Sequence, residues 1–138
     1  MGTWSGAPFG NDTASDFSYD LDDHNDWTFV EETLNEVLSS GEDLDSDVAA
    51  VGIAGAEVVA HGLGRPTQSD AYTESVESFA KRAGTPPAHV VRTAEQALAL
   101  AISPDSELTE LWEEGDPQEW NDATARLIRA LKDDSPGA

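Results

Sequence analysis

The sequence predicts an all-α protein, a single-domain helical bundle of about six to seven helices with an irregular amino-terminal segment. Apolar residues recur every three or four positions in five segments, which is the spacing of one face of an α-helix. Capping residues precede these segments and glycine ends several of them. No stretch alternates apolar and polar residues, and no internal repeat is visible. We therefore expect about two-thirds helix or more and no sheet of three or more strands.

The first two helices follow an irregular clasp over residues 1–11, where three glycines and Pro8 oppose a regular helix. Asn11 or Asp12 is a suitable N-cap for a first helix that runs to about residue 21. Asp26 can cap a second helix that stops near Gly41. The predicted inner faces of the two helices are Ala14, Phe17 and Leu21, then Trp27, Val30, Leu34, Val37 and Leu38.

The third helix is predicted to begin around residues 45–47 and to run to His61. Residues 48–60 are apolar on nearly every face, which is typical of a central, buried helix. Gly52 and Gly55 lower helix propensity but permit another backbone segment to approach closely. Gly62 and Gly64 are expected to end this helix, and a loop over residues 65–68 follows.

The remaining helices are separated by proline and glycine. A fourth is predicted from Ser69 or Asp70 to Ala83, with Gly84 as its C′ residue and an inward face of Tyr72, Val76, Phe79 and Ala80. A fifth begins at residues 85–87 and ends near residue 102, because proline is tolerated in a first turn. A short sixth helix begins at residues 103–104, carries Leu108, Leu111 and Trp112, and ends at Gly115. A last helix opens with the capping pattern of residues 116–119, and residues 133–138 form a frayed tail after a single domain over 1–132.

Charge is the most unusual property of the composition. The 138 residues include 28 Asp and Glu but only seven Lys and Arg, a net charge of −21. The first 64 residues contain fourteen of the acids and no Lys or Arg. The resulting field repels nucleic acid and anionic membranes and favours basic partners. The same excess is also what a high-salt or GC-rich lineage produces across unrelated proteins, and the sequence leaves that alternative open.

The cysteine content and the hydropathy of the sequence limit the cellular compartments in which we expect the protein. The chain has no cysteine, which rules out disulfides and thiolate metal sites and fits a reducing cytosol. No secretory signal is visible, and the longest apolar run is too short to span a bilayer. We expect a cytoplasmic protein without a cofactor, and the sequence leaves its oligomeric state open.

Three carboxylates in the first helix form a candidate site. Asp12, Asp16 and Asp20 recur every four residues and would line one strip of the helix, where like charges repel. Such a strip could gather Mg²⁺ or Ca²⁺, but no spacing matches an EF-hand loop and a second helix would have to supply ligands. We therefore predict no metal site and favour a solvated acidic face, with a partner-binding strip as the alternative.

Glu57 and His61 form the candidate pair for acid–base chemistry. They lie four residues apart on the most apolar helix, where an unpaired charge would be very unfavourable. The helix dipole and Glu57 would both favour a protonated imidazole. An ion pair at the edge of the core is the commoner outcome, and a second His for a zinc HExxH pattern is missing. No catalytic residue is therefore predicted, with this pair as the weak candidate.

The amino-terminal residues resemble those of a known family. The pattern reads Met1-Gly2-x-Trp4, then Phe9-x-Asn11-Asp12-x-Ala14-x-Asp16-Phe17. It is similar to the start of a bacterial family named domain-of-unknown-function family 4259, whose members tend to begin Met-Gly-x-Trp-Gly and continue Phe-x-Asn-Asp-x-Ala-x-Asp-aromatic. Ser5 stands where that family usually has Gly. The match is specific over about residues 1–23, and the resemblance implies no reaction, substrate or cofactor.

The same segment offers candidate binding residues. A rigid aromatic beside convergent polar groups is what a small site needs. We favour a purely structural clasp, in which Trp4 and Phe9 bury a large area and order the first helix, and keep a binding site as the alternative. The candidate binding residues are Trp4, Asn11, Asp12, Asp16 and Asp20.

Three functions remain compatible with the sequence. We favour a small acidic protein without catalytic activity that binds a basic protein, as an accessory, regulatory, immunity or antitoxin-like partner. One alternative is an enzyme, or a protein binding a small ligand or metal, that uses Glu57 and His61 or the Asp12 strip. The other is a DNA mimic, which requires carboxylates spaced like phosphates. A structure discriminates between a pocket around Glu57 and an exposed acidic face.

Overall fold

The structure is a computed structural model, and it describes residues 9–40, 45–103, 106–115 and 117–132. The prediction of an all-α protein is confirmed, because 77% of these residues are helical and none forms a strand. Two short 3₁₀ turns, Leu21–Asp23 and Ala71–Thr73, precede the second and fourth helices. The α-helices are α1 (Asp12–Asp20), α2 (Thr28–Ser39), α3 (Ser46–Gly62), α4 (Glu74–Ala83), α5 (Ala88–Ala101), α6 (Glu107–Glu113) and α7 (Gln118–Lys132).

Helix α3 is the centre of the bundle, as its apolar composition predicts. It contacts each of the other six helices, and all its residues from 52 to 60 are buried. Small residues bring the neighbours close, since a methyl group added at Gly55 would lie 2.9 Å from Cδ2 of Leu34 on α2. None of the described helices is both long and apolar enough to span a bilayer.

The buried apolar side chains form one cluster drawn from all seven helices. Trp27 anchors it: its ring meets Phe79 of α4 edge-on, with centroids 5.0 Å apart, and its indole Nε1 donates to the carbonyl oxygen of Gly84 at 3.1 Å. A buried Trp therefore has its polar atom satisfied, as such residues usually do.

The fourth and fifth helices begin later than the sequence predicts. The fourth helix begins at Glu74, because Asp70 caps a 3₁₀ turn instead, accepting from the backbone N–H of Tyr72. Tyr72 consequently falls outside the α-helical periodicity and is exposed, so its predicted inward orientation is wrong. Helix α5 begins at Ala88, after both prolines.

The sixth helix is also shorter than predicted. It begins at Glu107, where Ser106 is the N-cap and accepts from the N–H of Thr109. Leu108 and Thr109 are buried, whereas Leu111 is 51% exposed. Trp112 is partly buried against the core and stacks on Trp120 of α7, with ring centroids 6.2 Å apart.

Candidate functional site

The carboxyl end of α3 turns the chain back on itself. Gly64 has φ of +80°, its N–H donates to the carbonyl of His61 at 3.0 Å, and the N–H of Arg65 donates to the carbonyl of Ala60 at 2.9 Å. This pair of hydrogen bonds is the Schellman motif, in which a glycine at positive φ ends the helix. Residues 65–68 therefore return along the last turns of α3, where Thr67 and Gln68 contact Glu57 and His61.

Glu57 binds this returning loop. Its side chain is completely buried and accepts three hydrogen bonds: from the Thr67 N–H at 2.8 Å, the Thr67 hydroxyl at 2.6 Å and the Gln68 N–H at 2.9 Å. Bonds to an ionised carboxylate are about twice as strong as neutral ones. The sequence prediction that Glu57 would not stay unpaired is correct, and most of the donors to Glu57 belong to the loop over residues 65–68.

His61 completes the environment of that carboxylate. Its Nε2 lies 3.1 Å from Oε2 of Glu57, with the imidazole side chain 4% exposed, and 2.9 Å from the carbonyl oxygen of Gln68. Both neighbours are acceptors, so this nitrogen carries the proton. Glu57 thus accepts from three donors at Oε2 and from the Thr67 hydroxyl at Oε1, all inside the protein. The arrangement suits a structural anchor better than a general base, which needs a free acceptor facing a substrate.

A second polar network continues from the loop to α4 and to the amino-terminal segment. The amide oxygen of Gln68 accepts from the N–H of Phe9 at 2.8 Å. The carboxylate of Glu77 accepts from the hydroxyls of Ser69 at 2.8 Å and Thr73 at 3.2 Å. The Ser69 hydrogen bond, more than any other contact, holds the pKa of Glu77 below its ordinary value, and positive charge on His61 contributes.

The outer side of the same loop forms one wall of a cleft. Arg65 Nη1 donates to the carbonyl oxygen of Ala130 at 3.1 Å, one of the last carbonyls of α7, which lack a partner within the helix. Between the loop and the end of α7 lies an open cleft of about 760 Å³. We call it the basic cleft; it is lined by Arg65, Pro66, Thr67, Arg126, Arg129, Ala130 and Lys132.

The structure places the candidate residues of the first helix on the surface. The side-chain oxygen of Asn11 accepts from the N–H of Ala14 at 2.8 Å, so Asn11 is the N-cap of α1. Asp12, Asp16 and Asp20 are all exposed. Trp4 lies outside the described residues, so its contribution stays a prediction. Within the described ranges no group of three or more His, Asp or Glu is arranged to hold a metal ion.

Arg82 hydrogen-bonds at the end of α1, to backbone carbonyls and to Asn25, and not to the acidic strip. Its Nη2 donates to the carbonyls of Leu21 at 2.8 Å and His24 at 3.0 Å, and its Nε to Oδ1 of Asn25 at 3.0 Å. Among residues 9–40 and the other described ranges, no ion pair neutralises Asp16 or Asp20.

The sequence predicted the loop over residues 65–68 but not its hydrogen bonds to Glu57 or the basic cleft. Thr67 and Gln68 carry no local signal, because their partner Glu57 lies ten residues earlier in a different element. The cleft did leave a trace: Arg126, Arg129 and Lys132 recur every three residues, and side chains at this spacing share a helix face. Only the contact between α7 and the loop after α3 adds Arg65 to them.

The fold and site together define a small acidic helical-bundle protein in which a buried carboxylate anchors a loop beside a basic cleft. The chain belongs to the family described as Domain of unknown function (DUF4259), whose model matches residues 2–123. This confirms the family that the sequence was found to resemble, and the match covers most of the bundle. No curated protein matches the chain, and no solved structure matches it.

Proposed function

We propose that this protein acts without catalysis, by binding a basic protein through the acidic surface centred on α1. The observation that carries the proposal is the exposed strip of Asp12, Asp16 and Asp20, with no cation paired to it in the described residues. Unpaired like charges at this spacing destabilise a helix by about 0.2–0.5 kcal/mol per pair. A basic partner would relieve that repulsion.

The surroundings of α1 support the same proposal. Of the twelve acids described before residue 65, ten are exposed, Glu31 is half-exposed and Glu57 is buried. No Lys or Arg occurs in that part of the sequence. A surface with one sign of charge accelerates encounter with a partner of the opposite sign, and added salt weakens this effect steeply. The negatively charged surface also opposes binding to nucleic acid and to anionic membranes.

The alternative of an enzyme based on Glu57 and His61 receives less support. Both side chains are almost fully buried, and the carboxylate already accepts from loop donors on both oxygens. We place the protein in the cytoplasm of a bacterium as part of the proposal, because the chain has no cysteine and resembles a bacterial family.

The test is capture of basic proteins from a native lysate at low salt, with elution at high salt. The variant Asp12→Asn/Asp16→Asn/Asp20→Asn should lose the captured protein. The matched control is Glu110→Gln/Glu113→Gln/Glu114→Gln, which removes the same charge from exposed positions at and just beyond α6 and should retain it. Equal losses in both variants would show that only net charge matters, and unchanged capture in the α1 variant would refute the proposal.

A further inference from the structure

The basic cleft concentrates the few cations of an acidic protein. Four of the seven Lys and Arg of the chain line it. Its remaining lining residues are Pro66, Thr67 and Ala130, so no acid is among the described residues that form its walls. With 28 acids on the protein, cations distributed at random would have acidic neighbours. The cleft is therefore a local reversal of the charge of the molecule.

Three of these cations are not engaged elsewhere in the described structure. Arg126, Arg129 and Lys132 are exposed, and within the described ranges the ion pairs are those of His61 and His89. Their spacing of three residues puts them on one face over the last turns of α7. Like charges held together repel one another, and an anion among them removes that repulsion.

The opposite wall of the cleft is rigidly built. Arg65 is fixed at both ends, by the Schellman hydrogen bond of its N–H and by the bond from its guanidinium to Ala130. Thr67, two residues on, is held by the buried carboxylate of Glu57. A guanidinium has five N–H donors, so Arg65 retains donors for a ligand. Binding groups held in place before the ligand arrives lose less entropy on binding.

We propose that the basic cleft binds the phosphate group of a small, multiply charged anion. Arginine presents a planar fork of donors that matches phosphate oxygens, and three of the four cations are arginine. A volume of about 760 Å³ lies in the range of small-molecule sites. Free phosphate species and phosphate esters share this chemistry.

A small ligand fits better than a nucleic acid or an acidic protein. The net charge of −21 repels any large polyanion over its whole surface. A small anion inside the cleft is governed by the cations within a few ångströms, because charges beyond about 8–10 Å are screened at physiological salt. This site is independent of the proposed function, since it uses α7 and the 65–67 loop instead of α1.

The experiment is calorimetric titration of the full chain with pyrophosphate in metal-free buffer. The parent should bind, and Arg126→Ala/Arg129→Ala should weaken binding by roughly tenfold or more, since each lost charge-assisted contact is worth about a tenfold change in affinity. The control Lys81→Ala/Arg92→Ala removes two exposed bases outside the cleft and should bind as the parent does. Should the alanine pair lower the melting temperature, Arg126→Gln/Arg129→Gln replaces it.

Further titrations test the ligand class. A nucleoside diphosphate that binds more tightly than pyrophosphate supports a phosphate ester, and equal binding supports recognition of the phosphate groups alone. The variant Asp133→Asn/Asp134→Asn removes two acids that follow Lys132 in the sequence and should bind pyrophosphate at least as tightly. The proposal is overturned if pyrophosphate does not bind, if the arginine pair is dispensable, if the control loses equally, or if citrate or duplex DNA binds more tightly than pyrophosphate.

Discussion

Helices α1 and α3 both carry carboxylates at positions that sequence analysis singled out, and the structure gives the two opposite environments. The acids of α1 are exposed and lack ion pairs among the described residues. Glu57 of α3 is completely buried and accepts from Thr67, Gln68 and His61. The same chemical group is thus solvated in one helix and holds the fold together in the other.

This difference separates carboxylates that contribute to stability from carboxylates that are available for binding. When either the buried carboxylate or its partners are removed, the remaining polar groups have neither water nor protein to hydrogen-bond with. An exposed carboxylate is hydrated whether or not it has a partner. Substitutions on α3 should therefore change the free energy of unfolding, and substitutions on α1 should change interactions with other molecules.

The largest effect is expected for Glu57→Ala. The change leaves the N–H groups of Thr67 and Gln68 without their acceptor, so we expect a loss of about 3 kcal/mol in the free energy of unfolding. Chemical denaturation followed by circular dichroism measures it. Asp16→Ala on α1 is the matched control and should change stability by less than about 0.5 kcal/mol. Equal stability of both variants would contradict the anchoring role of Glu57.

A steric test follows for Gly62 at the end of α3. A methyl group there would lie 2.5 Å from Cζ2 of Trp27 and 2.9 Å from Cδ of Pro86. Since both are rigid rings, Gly62→Ala should destabilise the protein by about 1–3 kcal/mol. Gly115→Ala is the control, because a methyl group at Gly115 meets no atom within 4 Å. Thermal unfolding of both variants measures the difference. A Gly62→Ala variant as stable as the parent would show that Trp27 packs elsewhere.

A smaller effect is expected from Glu77 at acid pH. Its pKa is lowered, chiefly by the hydrogen bond from Ser69, so the folded protein releases this proton more readily than the unfolded chain. The stabilisation is present above the ordinary pKa of a glutamate, about 4.3, and is lost as pH falls through the lower folded value. Glu77→Gln should flatten this part of the stability profile between pH 5 and about pH 3. An unchanged pH profile would contradict the assignment.

The smallest effect is expected for Asp16→Asn/Asp20→Asn. Both side chains are exposed, and removing their repulsion should leave stability unchanged or raise it by a few tenths of a kcal/mol. Denaturation at low and at high salt measures this, since salt should abolish any gain. A loss above about 1 kcal/mol would mean that these carboxylates are structural and would erase the contrast with Glu57.

Much of the fold follows from local pattern. Asn11 is an N-cap as predicted, and α3 begins within residues 45–47 as predicted, because capping needs only the residue and the helix that follows it. The apolar character of residues 48–60 indicated a central helix, and α3 is central. The prediction failed at Tyr72, where a 3₁₀ turn replaces the expected helical periodicity, and the sixth helix begins at Glu107, later than predicted.

The candidate site was only partly predictable. The sequence identified Glu57 and His61 as an i, i+4 pair on a buried helix, and that pair exists at 3.1 Å. It gave no indication of Thr67 and Gln68, which reach Glu57 only because Gly64 reverses the chain. The basic cleft likewise needs Arg65 and Arg129, 64 positions apart, to meet.

The sequence by itself determined the helical class of this protein, about six to seven helices, some of their caps, the family to which it belongs and the lopsided charge. These depend on residues within a turn or two of one another. The tertiary structure alone decided which carboxylate is buried, which is solvated and where the scarce cations gather. Burial and electrostatic environment are set by neighbours distant in the chain, and no local pattern specifies which distant segments pack together.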